Sequence, residues 1–288
     1  MKLNKPEDRY ITVNELRMHY LDWGDSENTT ILLLHGLMAH AHVWDNLASE
    51  LSNLYHVLAL DQRGHGESEW PREAFYSVDD HFCDIFTFTE ALAIKKIILL
   101  GHSMGGRNAL FCAACAPEKV ERLILVDTRL GINPEASRAL RRQLAFLPMK
   151  TKNMDEVIEA LRKLYPYLKI EMCRHIAKYG YNQSDDDWFI PKYDIRMSMQ
   201  IENSGYASEN LSEMTKSISC PTLVVRGKES LFLSREEAHK MCNLLPMAVF
   251  KEIPGSTHIP AQENPNAFTR VLLDFLSLPG FSSVENSA

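Results

Sequence analysis

Short, wholly apolar runs alternate along this chain with longer stretches of helical spacing. Ile31–Leu34, Ile97–Leu100 and Leu123–Val126 are each unbroken apolar runs, and His56–Leu60 is nearly so. Runs this short, apolar on both faces and closed by polar or glycine-bearing turns, predict strands buried inside a sheet. Thr222–Arg226, introduced by Cys220-Pro221, and Val249–Ile253 predict two more near the end of the chain. Ahead of them all, Tyr10–Val13 and Arg17–Asp22 predict two strands joined by a turn at Asn14-Glu15.

Helical spacing fills the gaps. Helices are predicted over roughly Ser77–Ala93, over Arg107–Ala116 (stopped before Pro117) and over Asn264–Leu276, where Phe268, Val271, Leu272 and Phe275 share a face. This alternation predicts an α/β fold, a mostly parallel eight-stranded sheet flanked by helices. Between about Leu130 and Thr215 the strand rhythm stops. Asp155–Leu164 predicts an amphipathic helix with Asp155 as N-cap and Ile158, Leu161 and Leu164 on one face. Glu171–Tyr179 predicts another, ended by Gly180. The expected organisation is therefore a core of residues 1–129 and 216–288 with an inserted helical cap at 130–215. Such an insert lies over the carboxyl ends of the strands, where open α/β sheets place their ligands. The closing FSSVENSA is polar and expected to fray.

Composition narrows the function classes. Hydrophobic residues make up 45% and charged residues 24% of 288, ordinary for a globular enzyme. A formal net charge of -7 argues against a nucleic-acid partner, which calls for a basic surface. No stretch reaches the roughly 18 apolar residues of a membrane span. The opening MKLNKPEDRY has no apolar core of a signal peptide, so a cytoplasmic location is expected. Cys112 and Cys115 form a C-x-x-C, but in the apolar stretch FCAACAP they read as one buried helix face rather than a redox or metal pair. His40 and His42 read as loop histidines. No metal and no cofactor are expected.

The chemistry concentrates at the ends of predicted strands. Gly101-His102-Ser103-Met104-Gly105 is a G-x-S-x-G set between a strand and a helix. A sharp turn there lifts the Ser103 hydroxyl above the sheet, and glycines on either side avoid collisions with neighbouring backbone. His35-Gly36-Leu37-Met38 follows another strand, so the amides of Leu37 and Met104 are expected to form an oxyanion hole above Ser103. His35, Gly36 and His102, flanking the two turns, are the expected substrate contacts. A serine nucleophile needs a base, and His258, in the loop between the last strand and the last helix, is placed to supply it.

Together with the turn Asp61–Ser68 (D-x-x-G-x-G-x-S) and the late pair Gly255-Ser256-Thr257-His258 and Glu263-Asn264-Pro265, these motifs resemble the α/β-hydrolase superfamily from about Tyr10 to Leu278. Within that superfamily the chain resembles serine esterases and lipases with a helical cap. The resemblance implies a triad acid just after the strand Thr222–Arg226, but Ser230 or Leu231 stands there. Two residues preserve the order Ser, acid, His: Asp127, ending LILVD, is the favoured acid, and Glu229 is the alternative.

The activity implied is hydrolysis of a small carboxylic ester through an acyl-enzyme on Ser103 with His258 as general base. The alternatives are cleavage of a C–C bond, lactone opening, perhydrolysis, and a low-turnover ligand receptor on the same fold. Tyr165, Tyr167, Tyr179, Tyr181, Trp188 and Phe189 enrich the insert in aromatic rings, either as pocket lining or as packing onto the core. The oligomeric state is open.

Overall fold

The computed structural model describes residues 4–131, 138, 142, 144–197 and 213–278. β1 (Glu7–Val13) and β2 (Leu16–Trp23) form an antiparallel hairpin. Its turn residues Asn14 and Glu15 both take positive φ, 48° and 64°, as a tight two-residue hairpin requires. β3 (Thr30–Leu34), β4 (His56–Leu60), β5 (Ile97–His102) and β6 (Val120–Val126) follow. After the insert, whose short hairpin is β7 (Tyr181–Gln183) with β8 (Phe189–Pro191), come β9 (Thr222–Gly227) and β10 (Ala248–Ile253). Eight strands make one sheet in the order β1-β2-β4-β3-β5-β6-β9-β10, parallel from β4 onward.

The chain steps from β3 outward to β4, then returns to the other side of β3 as β5. That reversal opens a crevice between the carboxyl ends of β3 and β5, the place where such sheets bind ligands. Both faces of the central strands are covered, which explains their continuous apolar runs. Leu32, Leu34, Leu99, Leu123 and Leu125 pack on one side, against Phe88, Leu110 and Met241. Ile31, Leu33, Leu100, Ile124 and Val126 pack on the other, against Leu47, Phe268 and Phe275. Each buried aliphatic side chain contributes roughly 1.5–3 kcal/mol to holding the strand ends in place.

The helices are α1 (Asp45–Leu51), α2 (Val78–Ala91), α3 (Met104–Cys115), α4 (Met154–Leu164), α5 (Ile170–Gly180), α6 (Arg235–Leu244), α7 (Pro260–Glu263) and α8 (Pro265–Leu276). A 3-10 turn at Ala41–Trp44 leads into α1. Capping boxes start α2 (Ser77 with Asp80) and α6 (Ser234 with Glu237). The N-cap of α4 is Asn153, whose side chain accepts from the Asp155 amide, so Asp155 is a first-turn residue rather than the expected cap. Cys115 is exposed while Cys112 is buried, so the C-x-x-C does not form one buried face; Cys115 is the last residue of α3, where the helix leaves its cover.

α4 and α5 pack together through Val157, Ile158, Leu161, Cys173 and Ala177, with Ile259 of the core among them. The stretch after β8 is stitched to the Asp61–Ser68 turn. Gly66 N–H donates to the Lys192 carbonyl at 2.8 Å, Asp194 N–H donates to the Gly64 carbonyl at 2.9 Å, and the Tyr76 hydroxyl donates to Asp194 at 2.6 Å. The expected junctions at 130 and 215 lie at or near stretches outside the described residues, and FSSVENSA lies wholly outside them. Among the described residues no helix is long and apolar enough to cross a membrane.

Candidate active site

Ser103 sits between β5 and α3 with φ 52° and ψ -112°, a conformation an L-residue holds only when its surroundings enforce it, at a cost of about 1–3 kcal/mol. The surroundings do enforce it. The Ser103 amide donates to the Val126 carbonyl at 2.9 Å, and its carbonyl accepts from Arg107 at 3.1 Å. A Cβ on Gly101 would overlap the Gly105 carbonyl, and one on Gly105 would overlap the backbone of Leu34 and His35. The two glycines thus let the start of α3 sit directly on the ends of β3 and β5.

His258 reaches this turn from the loop between β10 and α7. Its Nε2 lies 3.1 Å from Ser103 Oγ and its Nδ1 lies 2.9 Å from Asp127 Oδ1. Asp127 follows β6, has no solvent exposure and takes a positive φ of 44°. Two further donors converge on its carboxylate: the Gly227 amide at 2.9 Å and the Ser230 hydroxyl at 2.7 Å. The Ser230 hydroxyl in turn accepts from the amides of Phe232 and Leu233, at 3.2 and 3.3 Å, which turns its proton toward Asp127. Glu229 is elsewhere. Its carboxylate accepts from the Ser256 amide at 3.0 Å, holding the loop two residues before His258. Glu263 braces the same loop by accepting from the Thr257 amide at 2.5 Å.

His102 donates from Nε2 to the carbonyl of His258 at 2.7 Å, with the two rings 4.7 Å apart. Burial and the facing His258 push the His102 pKa well below the ordinary histidine range, so it stays neutral. Gly36 lies against it, since a Cβ there would stand 2.6 Å from His102 Nδ1.

His35 has a different place from the one expected. Its Nδ1 donates to the Gly36 carbonyl at 2.8 Å and its Nε2 accepts from the Gln62 amide at 3.0 Å. Burial, with His65 alongside, lowers its pKa to about 3. Neither His35 nor Gly36 lines the cavity: the contacts of His35 lie within the loop and the Gln62 turn, and Gly36 lies against His102, which does line it.

The loop carrying Leu37 is held by the Asp61–Ser68 turn, through Gln62 and His65, which the sequence pattern did not single out, and through Asp61. Gln62 donates to the His35 carbonyl at 2.7 Å, and His65 Nε2 accepts from Met38, whose φ is 62°. Asp61, buried and accepting from the amides of Ala41 (2.6 Å) and Glu67 (3.0 Å), anchors both loops. Its pKa falls below the carboxylate range: burial opposes this, but the hydrogen bond from His19 and the charges around it prevail. The signal was the Asp61–Ser68 turn itself, a motif whose supporting role only its contacts reveal. Among the described residues the amides of Leu37 and Met104 donate to no protein acceptor.

A cavity of about 860 Å³, counting its open mouth, lies over Ser103 and His258. Its walls include Leu37, Val43, Leu144, Val157, Leu161, Ile176 and Ile259, with Tyr165, Tyr181 and Tyr193. Of the six aromatic residues singled out in the insert, Tyr165 and Tyr181 line it; Tyr167, Tyr179, Trp188 and Phe189 do not. Among the described residues no Lys, Arg, Asp or Glu side chain lines it.

A family profile described as the alpha/beta hydrolase fold matches residues 29–163. The chain is 28% identical over 246 residues to a 2-(acetamidomethylene)succinate hydrolase of Mesorhizobium japonicum, covering 85% of this chain and 87% of that protein. It is also 28% identical over 263 residues to a 3-hydroxybutyrate-oligomer hydrolase of Cupriavidus necator, covering 86% and 89%. The crystal structure of an E-2-(acetamidomethylene)succinate hydrolase superposes with a TM-score of 0.86 at 27% identity, over 94% of this chain and 99% of that one.

Proposed function

The chain belongs to the α/β-hydrolase family, and from that premise we propose that it hydrolyses carboxylic esters through an acyl-enzyme on Ser103. The observation that carries this reading is the continuous path from Ser103 Oγ to His258 Nε2, 3.1 Å, and from His258 Nδ1 to Asp127 Oδ1, 2.9 Å. In the proposed cycle Ser103 Oγ attacks the ester carbonyl as its proton passes to His258 Nε2. Asp127 accepts the Nδ1–H of His258, which selects the tautomer able to take that proton and stabilises the imidazolium. The amides of Leu37 and Met104 donate to the tetrahedral oxyanion, a role in which one lost donor costs about 2.7–4 kcal/mol. His258 then protonates the leaving alcohol. Water, deprotonated by the same histidine, releases the acid and restores Ser103.

The cavity argues for the substrate class. Its apolar walls and its lack, among the described residues, of charged side chains suit an uncharged ester with an aliphatic or aromatic arm. A succinate derivative carries two carboxylates, for which the described lining of this cavity offers no Lys or Arg. In this reading the insert acts as the cap, supplying Val157, Leu161, Tyr165 and Ile176 to the walls. The receptor alternative loses its motive, since that reading drew on the missing acid after β9, and Asp127 lies in contact with His258.

The test is hydrolysis of p-nitrophenyl esters of graded acyl length by the wild-type protein and by Ser103→Ala. Turnover with an optimum at an intermediate apolar chain, lost in the variant, is the expected result. An inert wild-type protein across the series, or undiminished turnover by Ser103→Ala, would overturn the proposal.

A further inference from the structure

The insert meets the core at a second cluster of side chains, on the far side of the cavity wall. His42 and Asp45 stand three residues apart across the 3-10 turn and the start of α1, so they share one face. His175 comes from α5, 133 residues further along. His42 Nδ1 lies 3.0 Å from Asp45 Oδ2, and His175 Nε2 lies 3.2 Å from the same oxygen. The His42 carbonyl accepts from His175 Nε2 at 2.9 Å. All three side-chain donor atoms fall within 4.8 Å of one another.

We propose that His42, Asp45 and His175 form a binding site for a divalent transition cation of the zinc type, which clamps the insert to the core. Zinc at about 2.0–2.1 Å from nitrogen and oxygen ligands sets tetrahedral edges of roughly 3.3–3.4 Å. The observed separations to Asp45 need open by only a few tenths of an ångström. Two imidazoles and one carboxylate are a donor set such a cation accepts, with the fourth position left for water.

Two features prepare the site. The His42 ring stacks on Tyr179 at 3.6 Å and 19°, which fixes its direction, and Tyr179 sits one turn after His175 on α5. The three side chains are 12%, 21% and 28% exposed and line a solvent-open cleft, so an ion can reach them. Lys5 and Asp8 also line that cleft. On binding, the His42 Nδ1 proton facing Asp45 and the His175 Nε2 proton shared between the His42 carbonyl and Asp45 leave for solvent as the cation takes their place. The consequence reaches the cavity, because Val43 and Ile176, the chain neighbours of His42 and His175, are two of its walls.

The experiment is calorimetric titration of the full chain, freed of metal by chelator, with zinc chloride, beside His175→Gln and Asp45→Asn. A single site per chain in the wild-type protein, weakened at least tenfold in each variant, is expected, and zinc should raise the melting temperature of the wild-type protein only. Cobalt in place of zinc should give the ligand-field absorption of a four-coordinate site. Absence of a stoichiometric site in the wild-type protein, or unchanged binding in either folded variant, would overturn the assignment. Circular dichroism establishes which variants are folded, and one folded variant suffices.

Discussion

The carboxyl ends of β6 and β9 lie side by side and put their carboxylates to opposite uses. At the end of β6, Asp127 is fully buried and turned by its positive φ toward three donors: Gly227, Ser230 and His258. At the end of β9, Glu229 is committed to the Ser256 amide, and Ser230 gives its hydroxyl to Asp127. The β9 end therefore braces the carboxylate that faces His258 and supplies none of its own to it. Which carboxylate faces the histidine is decided by where the buried lone pairs find donors, since an unsatisfied buried acceptor costs about 1–3 kcal/mol and more if charged.

That contrast can be broken by substitution. Asp127→Asn should lower kcat for ester hydrolysis by about 10⁴-fold, because an amide at that position favours the wrong histidine tautomer. Ser230→Ala should cost about 1.5–3 kcal/mol of stability, read in denaturant melts, because it removes a hydrogen bond to the carboxylate. Moving the acid to the neighbouring strand end sharpens the comparison. Asp127→Asn combined with Ser230→Asp should recover at least tenfold in kcat, or about 1.4 kcal/mol of transition-state stabilisation, over Asp127→Asn alone. No recovery would mean that reach alone does not qualify the β9 end. Glu229→Gln should change kcat by no more than about threefold, on the order of 0.6 kcal/mol, since the amide oxygen still accepts from Ser256. A collapse of kcat there instead would hand the acid's role to Glu229.

Legibility in the sequence followed the range of the contacts involved. The strands could be read because burial on both faces leaves unbroken apolar runs such as Ile31–Leu34, and the Ser103 turn because its glycines act within two residues. Which carboxylate faces His258 could not be read that way, since the groups that orient Asp127 lie 100 and 103 residues away, at Gly227 and Ser230. That His35 lies outside the cavity lining could not be read either, because nothing local shows that Gln62, 27 residues on, occupies its Nε2. α1 and the three-residue strands β7 and β8 are too short for a periodic pattern to stand out, and α6 buries only Ala238 and Met241. His42 looked like an ordinary loop residue because its neighbour His175 sits on a different element.

The most direct measurement of the central claim is rapid-quench intact-mass analysis during hydrolysis of a p-nitrophenyl ester, followed by peptide mapping. The account predicts a burst of p-nitrophenol with a matching acyl mass on the peptide containing Ser103, and neither in Ser103→Ala. An acyl group mapped to another residue, or turnover in Ser103→Ala at the wild-type rate, would contradict it.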